Sequence, residues 1–368
     1  MISKLMTEDD ADAEMTGYKI LEKIDPNHIY YPGPPQACDA NPSDKNISDS
    51  ECTILDENPH VKEYRLLFYK DGGVDLDDFA EDHLDAYLKT NPQRQTDMFF
   101  LNAHHLLRGL KLYINNNFIH HDIKPSNIVF NQKTYTFNYI DFGLSVVASE
   151  LIKDILAKKD YESFHWSYPM ELGFTNFKKN YYFPKLTNEK IGKIEKDFIG
   201  MFNSPELYLK NDYKIKPTRY TNTTFRYMVN QLQGFNVPAA VKSTMDGIKH
   251  YKEQSFEKFV NDTVPYLDIY ALGFTMNHMV NFFFAKNAIT KEQYARYSAL
   301  FSAMFDFDCS KRLTDIDIIM TDYENILEKT GVLKRLGKKF ERHEIVGSAK
   351  TLKDCQGAKN RKTNKCKK

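Results

Sequence analysis

Between Thr7 and Ile24 the apolar residues Ala11, Met15, Tyr18 and Leu21 recur at helical intervals, with Glu22 beside Leu21 and Glu14 close to the same face. That spacing predicts a helix over 7–24. Thr7 supplies an N-cap, Asp10 can complete a capping box, the acidic first turn suits the helix dipole, and Pro26 ends the run. Residues 32–60 lose all periodicity and are rich in Pro, Asn, Asp and Ser, which reads as a long loop. "YRLLFY" at 64–69 predicts a buried strand, "DGG" a turn, and 75–89 a short acidic helix. In 96–115, Phe99, Leu106, Leu107, Leu110 and Ile114 fall at core-facing helical positions. "IVF" at 128–130 and "FNYI" at 137–140 read as two short strands around a turn at 131–135. Helical stretches follow near 187–202 and 248–260, then a strongly apolar helix over 265–284 and further helices to about 335. No internal repeat interrupts this order.

Composition narrows the class. Apolar residues make up 42% of 368, enough for a sizeable core. The formal net charge of zero hides an asymmetry: residues 1–100 carry 22 acidic against 9 basic side chains, whereas 334–368 carry 13 basic against 3 acidic. The second segment reads as a flexible basic tail, with contact to a polyanion as one use and simple solubility as the other. The cysteines Cys38, Cys52, Cys309, Cys355 and Cys366 are few and scattered, so no disulfide framework is expected and a reducing, intracellular setting follows. Cys309 reads as a small buried apolar residue, and Cys355 with Cys366 do not by themselves make a zinc site. No apolar run reaches the length of a membrane span, so no membrane partner is expected.

The chemistry concentrates in one place. "FIHHDIKPSN" at 118–127 lies on the loop leaving the 96–115 helix, and "DFG" at 141–143 follows the second short strand. Phosphoryl transfer asks a protein for positioning and charge neutralisation: a carboxylate for the attacking hydroxyl, a cation near the transferred group, and oxygen ligands for Mg2+. Asp122, Lys124, Asn127 and Asp141 supply that set. The spacing puts a base, a cation and one metal ligand on a single loop, and a hairpin delivers the second carboxylate opposite them.

In these motifs the sequence resembles the eukaryotic-type Ser/Thr protein kinases, which carry H-R-D-x-K-x-x-N followed by D-F-G. The resemblance implies an α+β, two-lobed protein-kinase-like fold, with a truncated small β lobe and a mainly helical large lobe. By resemblance Asp122 is the catalytic base and Lys124 the phosphate contact. Asn127 and Asp141 become Mg2+ ligands, Gly143 frees the backbone beside Asp141, and His120 and Phe142 join a packed internal spine. "YPMEL" at 168–172 resembles the element that closes the activation segment, "DIYALG" at 268–273 the start of the central helix whose Asp268 braces the catalytic loop, and "DCSKRLT" at 308–314 the element whose Arg312 pairs with Glu171. In "ISKLM", Lys4 takes the role of the phosphate-binding lysine and Glu14 that of its helix partner. "LLFYKDGG" resembles the hinge, with Leu67 near the gatekeeper and the backbones of Phe68, Tyr69 and Lys70 facing adenine. The implied domains are 1–70, truncated small lobe and hinge; 71–335, large lobe with an insertion at about 172–262; and 336–368, the tail.

The pattern also departs from the family. No G-x-G-x-x-G occurs anywhere in the chain, the Lys4–Glu14 separation is shorter than usual, and His121 stands where the family has Arg, so control by activation-segment phosphorylation is less expected. If Lys4 holds its assigned role, two strands and the phosphate-covering loop fall before Met1. This combination is similar to the divergent kinases of large DNA viruses, which would place the protein in host cytoplasm or a virion. The implied activity is ATP-dependent phosphorylation of a protein substrate with Mg2+. The rivals are a pseudokinase that keeps the fold, a small-molecule kinase, and a nucleic-acid-associated protein acting through its tail. The plainer alternatives for Lys4 and Glu14 are a solvated terminal lysine and a solvated helix face.

Overall fold

The computed structural model describes residues 2–40, 63–159, 168–178, 182–203 and 236–347. The architecture is mixed, with helices in the majority and the described strands in four small sheets, as an α+β class requires. At the N-terminal end, β1 (Ile2–Thr7) pairs antiparallel with β3 (Tyr64–Tyr69), which pairs on its other side with β2 (Gln36–Ala40). Strand β2 lies within the 32–60 segment expected to be loop. Four of its five residues are exposed, so it has no apolar face to announce it; it exists because β3 offers a free edge of backbone donors and acceptors. Residues 41–62 lie outside the described residues.

Helix α1 (Glu8–Ile24) starts where the caps say it should. The Thr7 hydroxyl accepts from the Asp10 N–H at 3.3 Å. It also donates to the Asp10 carboxylate at 2.6 Å, so that carboxylate is held by the hydroxyl in place of the reciprocal capping-box bond. The buried face of α1 carries Ala11, Glu14, Gly17, Tyr18 and Leu21. Ala11 packs with Met6 and Leu67 of the sheet, while Tyr18 and Leu21 enter the main core, so one helix links the N-terminal sheet to that core.

After β3 the "DGG" turn leads into β4 (Val74–Asp75). Gly73, at φ 117°, sits so close to β6 that a Cβ would meet the Phe130 carbonyl oxygen at 2.4 Å, and only glycine fits. Asp75 caps the acidic helical run, which has three parts: α2 (Leu76–Asp78), a π-helical turn (Phe79–His83) and α3 (Leu84–Leu88). Helix α4 (Pro92–Asn115), capped by Asn91, buries Phe99, Leu106, Leu107 and Leu110. Short strands β5 (Phe118–Ile119), β6 (Ile128–Asn131), β7 (Thr136–Tyr139) and β8 (Val146–Val147) follow, then α5 (Ala148–Leu156) and α6 (Asn188–Asn203). The expected helix over 248–260 is instead two: α7 (Val237–Lys252) ends, and Ser255 caps α8 (Phe256–Thr263) by accepting from the Lys258 N–H at 3.0 Å. A single serine cap outweighs an otherwise continuous helical composition.

Helix α9 (Leu267–Ala285) is buried on nearly every side, as its strongly apolar sequence predicts. Helices α10 (Lys291–Met304), α11 (Ile316–Lys329) and α12 (Val332–Leu336) complete the core around it. A hairpin of β9 (Lys338–Glu341) and β10 (Glu344–Gly347) lies inside the segment expected to be a flexible tail. Phe340 and Ile345 pack against the main core, but with so many charges around them the apolar signal is lost in the composition. Residues 348–368, with Cys355 and Cys366, lie outside the described residues. No helix among the described residues is long and apolar enough to cross a membrane.

A second cluster of buried apolar side chains holds Tyr168, Leu172, Tyr270 and Cys309. Inside it Arg312 pairs with Glu171, both side chains being 2% exposed. The Arg312 Nε and Nη2 donate to the Asp306 carbonyl at 3.1 and 2.9 Å, and the guanidinium lies 4.8 Å from the Tyr270 ring centroid. Replacing Arg312 by Met leaves the Glu171 carboxylate buried without its cation, which costs about 3–5 kcal/mol. Urea denaturation should show the midpoint of Arg312→Met falling well below the native value, and that of Glu171→Gln falling too, since the guanidinium keeps an acceptor but loses its countercharge.

Candidate active site

Two loops meet because the strands on either side of them pair. β5 pairs with β8 and β6 with β7, in register Ile119↔Val146 and Ile128↔Tyr139. Residues 120–127 and 140–145 therefore run side by side, and the Ile140 N–H donates to the Asn127 carbonyl at 3.0 Å. From the first turn of α9 the Asp268 carboxylate accepts the N–H groups of His120 at 2.6 Å and of His121 at 2.9 Å. Burial pushes the Asp268 carboxyl up to about 7, against the pull of these two bonds. The grip holds His121 at φ 68°, a left-handed conformation that L-residues resist.

His120 is fully buried. Its Nδ1 accepts from the Asp122 N–H at 3.3 Å, so its proton belongs on Nε2, which donates to the Ile140 carbonyl at 3.0 Å. Burial lowers its pKa, in keeping with a neutral ring used as a strut between the two loops. Beyond it, Asp122 Oδ2 accepts from Lys124 Nζ at 2.8 Å and from Asn127 Nδ2 at 2.7 Å; the same Nδ2 also donates to the Asp122 carbonyl at 2.8 Å. Burial raises the Asp122 pKa and the Lys124 cation pulls it back, so a mostly buried carboxylate stands ready to take a proton. With Nδ2 committed, the Asn127 amide presents Oδ1 as its accepting end.

Asp141 sits at φ 64°, and this residue, rather than Gly143, takes the left-handed backbone. Lys4 Nζ reaches Asp141 Oδ2 at 3.3 Å and Glu14 Oε2 at 3.0 Å. Burial alone would lower the Lys4 pKa, but Asp141 and Glu14 together outweigh it and raise it. Glu14 is 1% exposed; burial raises its carboxyl, while Lys4 and the Tyr69 hydroxyl, which donates to Oε1 at 2.6 Å, draw it down. The sequence assigned Tyr69 only a backbone role. The register Lys4↔Leu67 explains its side chain: residues opposite one another share a face, and so do residues two apart, so Lys4, Leu67 and Tyr69 all face α1. Leu67 is fully buried there, Phe68 lies in the ladder opposite both Ser3 and Gln36, and Lys70 is exposed.

Sequence reasoning passed over Gly17. A Cβ there would fall 2.3 Å from the Phe142 carbonyl oxygen and 2.3 Å from Ser145 Oγ, so α1 lies directly on the Asp-Phe-Gly segment. The Phe142 ring is fully buried, 5.0 Å from Tyr18, 6.0 Å from Tyr31 and 4.6 Å from His120 between centroids. A glycine in the middle of an otherwise strong helix was the available signal, since it costs helix stability unless packing requires it. His121 stacks on Tyr168 at 4.7 Å and meets the Leu144 carbonyl through Nδ1. Burial pushes its pKa down to about 4, so it is uncharged at neutral pH.

Alanine at position 17 should raise intrinsic helix propensity by about 1 kcal/mol yet overpack the contact with Phe142, for a net loss of about 1–2 kcal/mol in thermal or urea unfolding. Stabilisation by Gly17→Ala would refute the close approach. His121 has a folded pKa of about 4 against an ordinary 6.5, so its share of stability is complete above pH 6.5 and is lost as pH falls toward 4. The slope for this one site reaches at most about 1.4 kcal/mol per pH unit, and His121→Gln should flatten the pH dependence of unfolding in that window.

No protein-family model matches the chain. A stretch of 69 residues, 19% of the chain, is 39% identical to mitogen-activated protein kinase kinase kinase 8 of Rattus norvegicus, of which it spans 14%. The chain thus has a short local similarity to a protein kinase, and the match takes in about one-seventh of that relative's length.

Proposed function

We propose that the chain has a two-lobed protein-kinase-like fold and transfers the γ-phosphoryl group of ATP to serine or threonine hydroxyls of a protein. The observation that carries this reading is the sharing of one Asp122 carboxylate oxygen by Lys124 and Asn127, beside a Lys4 that bridges Glu14 and Asp141. The N-terminal sheet with α1 would be the small lobe, ending in the hinge near residue 70, and 71–335 the large lobe. The short kinase similarity supports the same class of reaction.

The donor set suits Mg2+ and a triphosphate. Asn127 and Asp141 would hold the ion through amide and carboxylate oxygens, the ligands a hard cation prefers. When bound, Mg2+ would neutralise charge on the phosphates. The residues divide the remaining work. Asp122 orients the substrate hydroxyl and takes its proton as the new oxygen–phosphorus bond forms and the bond to the ADP oxygen breaks. Its raised pKa helps it hold that proton. Lys124, held on Asp122, places a cation beside the transferring group. Lys4, kept in place by Glu14, would take the α- and β-phosphates, and the backbones of Phe68, Tyr69 and Lys70 would line the adenine side.

A second reading is a binding module that keeps the fold with little turnover; the pairing of Lys4 with Asp141, the groups assigned to phosphate and metal, favours it. Calorimetric titration with Mg·ATP and a phosphate-transfer assay separate the two. The enzyme reading expects binding and autophosphorylation by the native chain, both lost in Asp141→Ala. Asp122→Asn should keep binding while transfer falls about 10²–10⁴-fold. Binding without transfer in the native chain would select the second reading, and equal signals from native and Asp141→Ala chains would overturn the first.

A further inference from the structure

We infer that His104, Glu324 and His343 form a metal site for a divalent transition ion, with Zn2+ the best fit, that fastens the C-terminal hairpin to the helical body. His104 Nε2 lies 2.8 Å from Glu324 Oε1, and His343 Nδ1 lies 2.7 Å from the same oxygen. One ligand atom from each residue falls within 4.8 Å of the other two. The three residues come from α4, α11 and the β9–β10 turn, with 220 positions between His104 and Glu324, so only the tertiary fold assembles them.

His104 is fully buried, and its Nδ1 has no hydrogen-bond partner among the described residues. The polar contact that this imidazole makes inside the core is therefore at Nε2, aimed into the cluster. Its ring packs on Phe340 of the hairpin at 4.6 Å. The turn itself is built at a cost. Arg342 and His343 have φ of 51° and 65°, the two positive values of a tight two-residue hairpin loop, where Asn-Gly is the comfortable choice. A histidine in the second place puts an imidazole on Glu324. Arg108, one turn along α4, is ion-paired with Glu344, so its charge is balanced beside the site.

Two imidazoles and one carboxylate form a ligand set suited to zinc, whereas Mg2+ and Ca2+ favour all-oxygen cages. With ligand bonds of about 2.0–2.2 Å in tetrahedral geometry, neighbouring ligand atoms stand about 3.3 Å apart. Opening each present contact by about half an ångström would admit the ion. The imidazole protons move to the opposite ring nitrogens as the metal takes the lone pairs. Glu324 is 16% and His343 30% exposed, which leaves a solvent side for a fourth ligand, water. His104 lies about 17 Å along α4 from the end that leads into the 120–127 loop, so the site is separate from Asp122.

The test uses the full, untagged chain stripped of metal. Zinc chloride should bind at this cluster and raise the melting temperature by about 5 °C at a hundredfold excess over Kd. Cobalt chloride should give the visible bands of tetrahedral nitrogen and oxygen ligation without a thiolate charge-transfer band, which excludes Cys355 and Cys366 as the ligands. His343→Asn removes a ligand but suits the left-handed backbone, so its metal-free stability should equal or exceed the native value. Its zinc-dependent shift should vanish and its affinity drop at least about 100-fold. Glu324→Gln keeps a hydrogen-bond acceptor and should lose the same shift. A native chain without cobalt bands, or variants that bind zinc and gain stability as the native chain does, would overturn the site and leave a hydrogen-bonded His–Glu–His cluster.

Discussion

Two consecutive backbone amides, those of His120 and His121, point at one buried carboxylate, and the geometry of the central loop depends on that grip. Asp268 offers one oxygen to each. It stands in the first turn of α9, where the helix dipole favours a negative charge, and α9 is the most thoroughly buried of the described helices. The carboxylate thus transmits the rigidity of the core to a loop that has no regular structure of its own. It permits His121 a left-handed backbone, which turns the chain so that Asp122, Lys124 and Asn127 face one another. Without a partner of this kind two buried N–H groups would be left unsatisfied beside the site.

A second constraint acts from the other side. Helix α1 lies on the Asp-Phe-Gly segment through Gly17 and carries Glu14, so the distance between the N-terminal sheet and the central loops is set by contact between a helix backbone and a carbonyl. Lys4 then spans the gap, bound to a carboxylate of α1 and to one of the loop. Phe142, enclosed by Tyr18, Tyr31 and His120, is the apolar counterpart of that ion pair. Separating α1 from the loop would break both.

Much of this was legible in local pattern. Helices α1, α4 and α9, strand β3 and the β6–β7 hairpin follow from periodicity, caps and turn residues, which act over a few positions and leave their mark in the sequence. The order of His120, Asp122, Lys124, Asn127 and Asp141 is likewise a local pattern, and it names the reactive groups that the two loops carry. Contacts between distant parts of the chain leave no such mark. Strand β2 is made by the free edge of β3, and the β9–β10 hairpin by two apolar side chains reaching the core. The Tyr69 hydroxyl on Glu14 lies 55 positions from its partner, and the His104–Glu324 contact 220. By itself the sequence determined the elements that carry their own apolar period and caps, and which reactive groups the chain owns, because backbone propensity and side-chain chemistry are local. Tertiary structure alone decided which of those groups meet, at what distance and in what charge state, because burial and pairing are properties of surfaces that exist only once the chain has closed on itself.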